Sequence, residues 1–358
     1  MHKDRKEMTL HDYNNAVSTV VDFACQLDNS IKPISIYQNG NIGTFGVSDI
    51  DLIFVFEDTF YNGKLFLEKY NKSIEKIDNK NIFFIHSPFI VNKSVFKNIP
   101  YYSYNPPGAL RCIFGESFDF FSAYPSSIQS ILISIEFILF RIIQLINNLI
   151  SGNVSLNGIL VRGHSLIHSI CLAKIAGVKL DKSYFKYFQK IEYLRSNMHI
   201  ENNAAVQNDE ILSLYKGIIN EFYYIYKKFC FAINNLTFFY LPKNDYYVYD
   251  NNTIIENIFN DNIDLSVNID GKSGKLYVQG LDFSCQMLRD IYFNVPDFSS
   301  YILDSSFLKE CKSRAKFHME QWEWNFKNFG KIHSGLSAVP CVAGEEARKL
   351  AESILLNP

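Results

Sequence analysis

Two aspartates one residue apart, Asp49 and Asp51, begin the apolar stretch DLIFVF and directly follow a glycine-rich segment. Side chains in a strand alternate between its two faces, so Asp49, Asp51 and Ile53 are predicted to share one face. Two carboxylates held this close repel each other unless a cation lies between them, and hard oxygen ligands suit Mg²⁺. The spacing therefore predicts a magnesium site at the start of a buried strand, with Asp49 and Asp51 as ligands.

The segment before the aspartates contains Gly40, Gly43 and Gly46. Glycine adopts positive φ and allows a ligand to approach the backbone, and successive backbone N–H groups in such a turn bind phosphate oxygens. We expect the N–H groups around Asn41 and Thr44 to serve this purpose. The turn and the aspartates together predict a site for a metal-bound phosphate compound.

Ser48 to Leu52, SDIDL, follows the glycine turn and continues into an apolar strand. This arrangement resembles the DNA polymerase β-like nucleotidyltransferase superfamily. A Gly-Ser pair usually opens the turn in that family, and Gly40-Asn41 takes its place here. The resemblance implies that Asp49 and Asp51 are catalytic and hold Mg²⁺ against a nucleoside triphosphate. It also implies nucleotide contacts from the turn, made by Gly40, Asn41, Gly43, Thr44 and Ser48.

The resemblance further implies a third carboxylate on the next strand, where it would activate the acceptor hydroxyl. That strand is predicted over 81–91 and contains His86 and Ser87 but no acid. His86 is the candidate base in its place, because histidine titrates near neutral pH; a structural, hydrogen-bonded histidine is the alternative. Acidic residues elsewhere in this region would reach the aspartates only through a bend: Glu57, Asp78, Glu116 and Asp119.

Composition restricts the class of protein. The chain has 358 residues, enough for two or three domains with a substantial core. Its net charge of −2 argues against a nucleic-acid-binding surface, because such proteins carry a clear basic excess. Seven scattered cysteines without a CxxC pair indicate reduced thiols, and the first fifteen residues contain no signal-peptide core. We therefore expect a cytoplasmic protein.

The resemblance implies an α+β nucleotidyltransferase core with a short mixed sheet in residues 1–122, and the predicted order of elements fits it. Predicted helices at 10–27 and 64–77 and strands at 34–37 and 81–91 surround the aspartate strand. The Pro-, Tyr- and Asn-rich segment 88–124 is predicted to be a long irregular loop, in which Arg111 is a candidate for a phosphate contact or a salt bridge.

A helical domain is predicted for 123–240, with helices at 126–150, 159–177, 183–198 and 210–235. The first is apolar enough to suggest a membrane span, but Glu136 and Arg141 near its middle favour a buried bundle helix. Residues 241–358 are predicted to form a small α+β region that binds the acceptor. Trp322 and Trp324 in that region would stack a base or sugar, or belong to the core.

Arg162, His164 and His168 lie close together within the predicted helix at 159–177. The two histidines are four residues apart, a spacing that suits a metal. Arg162 and His168 also resemble the short Arg-His signature of HEPN ribonucleases. Polar contacts at a helix edge are the simpler interpretation, and Arg162 would bind a phosphate if this helix faced the aspartates.

The resemblance implies an enzyme that transfers a nucleoside monophosphate from a nucleoside triphosphate to an acceptor and releases pyrophosphate. We expect a small sugar- or phosphate-like acceptor, because the net charge provides no basic groove for a polymer. Mg²⁺ is the expected cofactor, and no nucleic acid or membrane partner is expected. Two alternatives stay open: a nucleotidyltransferase-fold module that binds nucleotide without turnover, and a HEPN-type ribonuclease centred on Arg162 and His168. The sequence does not determine the oligomeric state or which nucleotide is used.

Overall fold

The structure is a computed structural model that describes residues 5–40, 42–85, 87–99, 110–119, 127–150, 152–197, 208–234, 324–325 and 327–329. These residues contain one small mixed sheet with helices packed on it, followed by a group of longer helices. The predicted α+β core with a short mixed sheet is confirmed. The predicted strands of the region 241–358 lie outside the described residues.

Four strands form the sheet: β1 (Ser35–Asn39), β2 (Asp51–Phe56), β3 (Phe89–Asn92) and β4 (Leu110–Gly115). Their order is β3-β2-β1-β4, with β1 antiparallel to β2 and β4, and β2 parallel to β3. Asn39 pairs with Asp51, and Ser35 pairs with Val55. The glycine turn therefore connects the two central strands, β1 and β2, at the end of the sheet where Asp51 begins β2.

The helices that accompany the sheet are α1 (Leu10–Cys25), α2 (Gly63–Ile74), α3 (Lys80–Phe83) and α4 (Lys93–Phe96). Thr9 and Asp12 form a capping box at the start of α1, which satisfies backbone N–H groups that the first helical turn leaves unpaired. The predicted helices at 10–27 and 64–77 are confirmed as α1 and α2.

Each face of the sheet is covered by its own apolar cluster. Leu52, Phe54 and Phe56 of β2 pack against α1 and α2, whereas Ile53 and Val55 pack against the segment around Phe96. Alternation along β2 places Asp51 on the same face as Ile53, as the sequence predicts. The buried strand therefore fixes the side of the sheet on which the carboxylate emerges.

The second group of helices comprises α5 (Ser127–Ile150), α6 (Leu156–His164), α7 (Leu166–Ile175), α8 (Lys186–Ser196) and α9 (Asn208–Asn234). The long helices α5 and α9 pack along each other; α7 packs against both, and α6 packs against α8 and α9. Among the described helices, none combines the length and apolar character required to cross a bilayer.

The predicted strand over 81–91 is wrong in its first half. Residues 80–83 form the short helix α3, and β3 begins only at Phe89. Asn79 adopts a left-handed conformation with φ 59°, and Phe83 packs edge-on against Tyr13 with ring centroids 4.8 Å apart. A short apolar run does not distinguish a strand from a buried helical turn, and tertiary packing decided it here.

The predicted helix over 159–177 is also wrong as a continuous element. It is divided at Ser165 into α6 and α7. The Ser165 hydroxyl donates to the carbonyl of Arg162 at 2.5 Å, so the side chain competes for a backbone acceptor at this point. His164 consequently ends one helix and His168 lies in the next.

The segment 88–124 is not a continuous irregular loop, because it contains β3, α4 and β4. Residues 100–109 and 120–124 of this segment lie outside the described residues. From the C-terminal third, Trp324 and Phe329 belong to the core cluster beside Phe56, and Asn328 donates to the carbonyl of Phe60 at 3.0 Å. Trp324 is thus a core residue, and Trp322 lies outside the described residues.

Candidate functional site

The glycine turn is held by its own hydrogen bonds. Gly40 and Gly46 adopt positive φ of 78° and 77°, as the sequence predicts, whereas Gly43, for which the same was predicted, does not. The Ser48 N–H donates to the Thr44 carbonyl at 2.8 Å, and the Thr44 N–H donates to the Ser48 hydroxyl at 3.0 Å. The Thr44 N–H, which was predicted to donate to a phosphate, therefore donates to a side chain of the turn itself.

The Tyr13 hydroxyl of α1 forms two hydrogen bonds with the backbone of the glycine turn. It donates to the Ser48 carbonyl at 2.7 Å and accepts the Gly46 N–H at 2.9 Å. Burial raises the pKa of Tyr13 to about 12, with the bond from Gly46 acting in the opposite direction and the nearby Asp49 adding to the rise. The phenol thus stays protonated and keeps its donor to Ser48.

The two carboxylates follow the glycine turn and are separated by one residue. Asp49 precedes β2, Asp51 is its first residue, and both are partly exposed. Across the hairpin, Asn39 lies opposite Asp51, and directly opposed residues of an antiparallel pair point to the same face. Asn39 is only 6% exposed, and its side-chain oxygen has no hydrogen-bond partner. Sequence reasoning missed Asn39, although it directly precedes Gly40.

Arg195 of α8 reaches this turn from the second group of helices. Its guanidinium donates to the Leu160 carbonyl at 2.9 Å and to the Ser48 hydroxyl at 3.4 Å. Burial lowers the pKa of Arg195, whereas the neighbouring carboxylates of Glu192 and Asp49 raise it. Arg195 therefore brings a buried positive charge to the start of the aspartate strand. The sequence offered no signal for this role, since a lone arginine on an amphipathic helix is ordinary.

His168 of α7 lies near Asp51 and packs edge-on against Phe137, with ring centroids 5.9 Å apart. Burial lowers its pKa to about 3; His164 and Arg141 lower it further, while Asp51 opposes the shift. His168 is therefore neutral at neutral pH. Arg162, the predicted phosphate contact, lies on the preceding helix α6, so its predicted role stays a prediction.

His164 and His168 do not act as a pair on one helix. The Nδ1 atom of His164 lies 2.6 Å from a carboxylate oxygen of Glu192, which joins α6 to α8. Within the described ranges, no three His, Cys, Asp or Glu side chains lie close enough together to hold a metal ion. Two carboxylates with an amide oxygen opposite them still form a set of hard oxygen donors of the type that Mg²⁺ prefers.

Comparison with models of protein families, with curated proteins and with solved structures finds no match to this chain. The site is therefore interpreted from its own geometry.

Glu57 and Glu116 do not join the aspartates. Both carboxylates pair with Lys93, at 3.6 and 3.0 Å. Glu57 follows the last residue of β2, and Glu116 follows Gly115, which pairs with Ser35 at the beginning of β1. They therefore lie at the opposite end of the sheet from Asp51.

The remaining candidate residues from the sequence are Asp78, Asp119, Arg111, Asn41 and His86. Asp78 precedes α3, and Asp119 follows β4 near the end of a described range. Arg111 donates to the side chain of Gln38 at 2.5 Å, which is a neutral partner rather than the predicted salt bridge. Asn41 and His86 lie outside the described residues, so their predicted roles stay predictions.

Proposed function

We propose that this protein transfers a nucleoside monophosphate from a nucleoside triphosphate to a small acceptor and releases pyrophosphate. One observation carries the proposal: Asp49 and Asp51 emerge together, partly exposed, from a positive-φ glycine turn that connects two antiparallel strands. A carboxylate pair beside such a turn supports binding of a metal-coordinated triphosphate.

The turn supports phosphate binding through open space beside its first glycine. A side chain at Gly40 would meet no atom within 4 Å among the described residues, and its φ of 78° favours glycine. Triphosphate oxygens are proposed to approach the backbone at Gly40, Asn41 and Gly43. Ser48 is proposed to maintain the shape of the turn through its bond with the Thr44 N–H.

The positive charge of Arg195 supports the same interpretation. The guanidinium lies beside Ser48 and near Asp49, where it offsets the charge of the carboxylate and of an arriving triphosphate. Mg²⁺, when bound by Asp49 and Asp51, would supply neutralisation of the charge that develops on the leaving pyrophosphate.

The proposed reaction is a displacement at the α-phosphorus. A hydroxyl oxygen of the acceptor forms a bond to that phosphorus, the bond to the bridging oxygen breaks, and pyrophosphate leaves with the electron pair. The proton of the hydroxyl passes to a base, for which His86 is the sequence-based candidate. A small acceptor is proposed because the net charge of −2 provides no basic excess for a polymeric one.

The experiment measures pyrophosphate released from each of the four nucleoside triphosphates with Mg²⁺ and a pool of sugar phosphates and amino sugars. Wild type is compared with Asp51→Asn and with the control Asp28→Asn, whose exposed carboxylate pairs with Lys69 at 3.7 Å away from the turn. We expect acceptor-dependent release in wild type and in the control, and at least roughly a hundred-fold less in Asp51→Asn.

Two results would overturn the proposal. Nucleotide binding that depends on Asp51 without any pyrophosphate release would identify a binding module instead. Metal-independent cleavage of RNA that is lost in His168→Ala and retained in Asp49→Ala would identify a ribonuclease.

A further inference from the structure

We infer that Asn39 supplies a third protein oxygen to a divalent cation held by Asp49 and Asp51. The inference rests on the proposed function for the identity of the cation as Mg²⁺. Asn39 is 94% buried, since only 6% of its surface is exposed, and its side-chain oxygen lacks a hydrogen-bond partner. A bound group that satisfies this oxygen removes the free-energy cost of leaving a buried amide oxygen without a hydrogen-bond partner.

The register of the hairpin places the Asn39 side chain on the same face of the sheet as the Asp51 carboxylate. Asn39 and Asp51 are paired directly across β1 and β2, and the Cβ atoms of such a pair are roughly 5 Å apart on the same face of the sheet. Asp49 lies two residues before Asp51, just outside the strand. A cation beside Asp51 is thus within the reach of an asparagine side chain.

Neighbouring polar side chains of β1 do not place an unpartnered oxygen beside Asp51. Gln38, the preceding residue, points to the opposite face and accepts from Arg111. Ser35 is more deeply buried than Asn39 and also has an unpartnered side-chain oxygen, but it pairs with Val55 at the other end of the strand. Of the side chains on this face of β1, the one that combines an unpartnered oxygen with a neighbouring carboxylate is that of Asn39.

The inference also offers a third ligand in place of the carboxylate that β3 lacks. The ladder between β2 and β3 begins with Ile53 opposite Phe89, two residues beyond Asp51. The third ligand is therefore assigned to β1, on the other side of the aspartate strand. Because an amide oxygen is neutral, the site carries two negative charges rather than three.

The experiment is a titration with Mn²⁺, a spectroscopic substitute for Mg²⁺, in which free Mn²⁺ is measured by electron paramagnetic resonance without nucleotide. Asn39→Ala removes the oxygen and is expected to weaken Mn²⁺ binding by at least about ten-fold. Asn39→Asp adds a negative charge at nearly the same volume and is expected to strengthen it. The control is Ser35→Ala, which removes another buried, unpartnered oxygen from the same strand, and this variant should bind Mn²⁺ as wild type does.

Circular dichroism and urea unfolding establish that each variant is folded, and Asn39→Asp keeps the test decisive if Asn39→Ala unfolds. The inference is overturned if wild type binds no Mn²⁺, if Asn39→Asp does not strengthen binding, or if a folded Asn39→Ala binds like wild type. Failure of the proposed function is a different result: Mn²⁺ binding that depends on Asn39 and Asp51, without pyrophosphate release. Normal release together with wild-type Mn²⁺ affinity in Asn39→Ala would overturn only the present inference.

Discussion

The guanidinium of Arg195 lies 3.4 Å from the hydroxyl oxygen of Ser48, 147 residues away in the chain. Ser48 belongs to the glycine turn of the sheet, and Arg195 belongs to α8. The same guanidinium donates to the Leu160 carbonyl of α6 at 2.9 Å. One buried side chain therefore connects the candidate nucleotide turn with two helices of the second group.

Replacing Arg195 by Met is expected to lower the free energy of unfolding by about 2 kcal/mol or more. The change leaves the buried Leu160 carbonyl without its donor and removes the positive charge beside Asp49. Urea unfolding measures the difference. Lys190→Met is the control on the same helix, because Lys190 is 46% exposed and pairs with Glu210 near the surface. Equal losses in the two variants would contradict the role assigned to Arg195.

Replacing Tyr13 by Phe is expected to cost about 1–3 kcal/mol of unfolding free energy. The variant leaves the Ser48 carbonyl and the Gly46 N–H without the partner that the phenol provides. Tyr70→Phe is the matched control: Tyr70 is equally buried, but the structure shows no hydrogen bond from its hydroxyl to a described residue. Thermal and urea unfolding of both variants test this; a larger loss for Tyr70→Phe would be the contrary result.

Gly46→Ala is expected to destabilise the turn more than Gly40→Ala. Both glycines have φ near +78°, so an alanine at either position carries a backbone strain of about 1 kcal/mol. A Cβ atom at Gly46 would also overlap the carbonyl of Arg5, whereas one at Gly40 would meet no atom within 4 Å. Urea midpoints of the two variants give the comparison. Equal midpoints would show that the contact with Arg5 does not constrain the turn.

Because of Glu221 in α9, the free energy of unfolding is expected to decrease as the pH rises from about 4.5 to about 7. Its carboxylate accepts the backbone N–H groups of Tyr187 and Phe188 at 2.7 and 2.9 Å, at the first turn of α8. Burial nevertheless raises the pKa of Glu221 to about 7 from its ordinary 4.5. The folded protein therefore keeps a proton in this window that the unfolded chain releases, so the stabilisation is complete below pH 4.5 and lost above pH 7.

The effect of Glu221 amounts to at most about 3 kcal/mol, because one pKa unit corresponds to about 1.4 kcal/mol. Urea unfolding at pH 5 and pH 8 measures it. Glu221→Gln removes the titrating group, so its decrease in stability between the two pH values should be smaller than that of wild type. Glu210→Gln, on the same helix but in a partly exposed ion pair, should behave like wild type. An unchanged decrease in Glu221→Gln would contradict the assignment.

Local patterns predicted the elements well where one face of an element is buried. The apolar spacing of α1 and the alternation of β2 appear directly in the sequence, and the structure confirms both. The patterns were insufficient for 80–83, where an apolar run became a helical turn, and for β4, where Pro-, Tyr- and Asn-rich surroundings concealed a strand. In both cases contacts with distant residues decided the conformation, and a short window contains no information about such contacts.

The sequence by itself determined that Asp49 and Asp51 follow a glycine turn and that Asp51 shares a face with Ile53, because alternation and positive φ are properties of the local chain. Only the tertiary structure decided that Asn39 lies opposite Asp51, and that Arg195 contacts Ser48. The first depends on the register that the hairpin adopts, and the second on how α8 packs against a turn 147 residues away. Neither relationship has a periodic signature in the sequence, since both result from burying separate segments against each other.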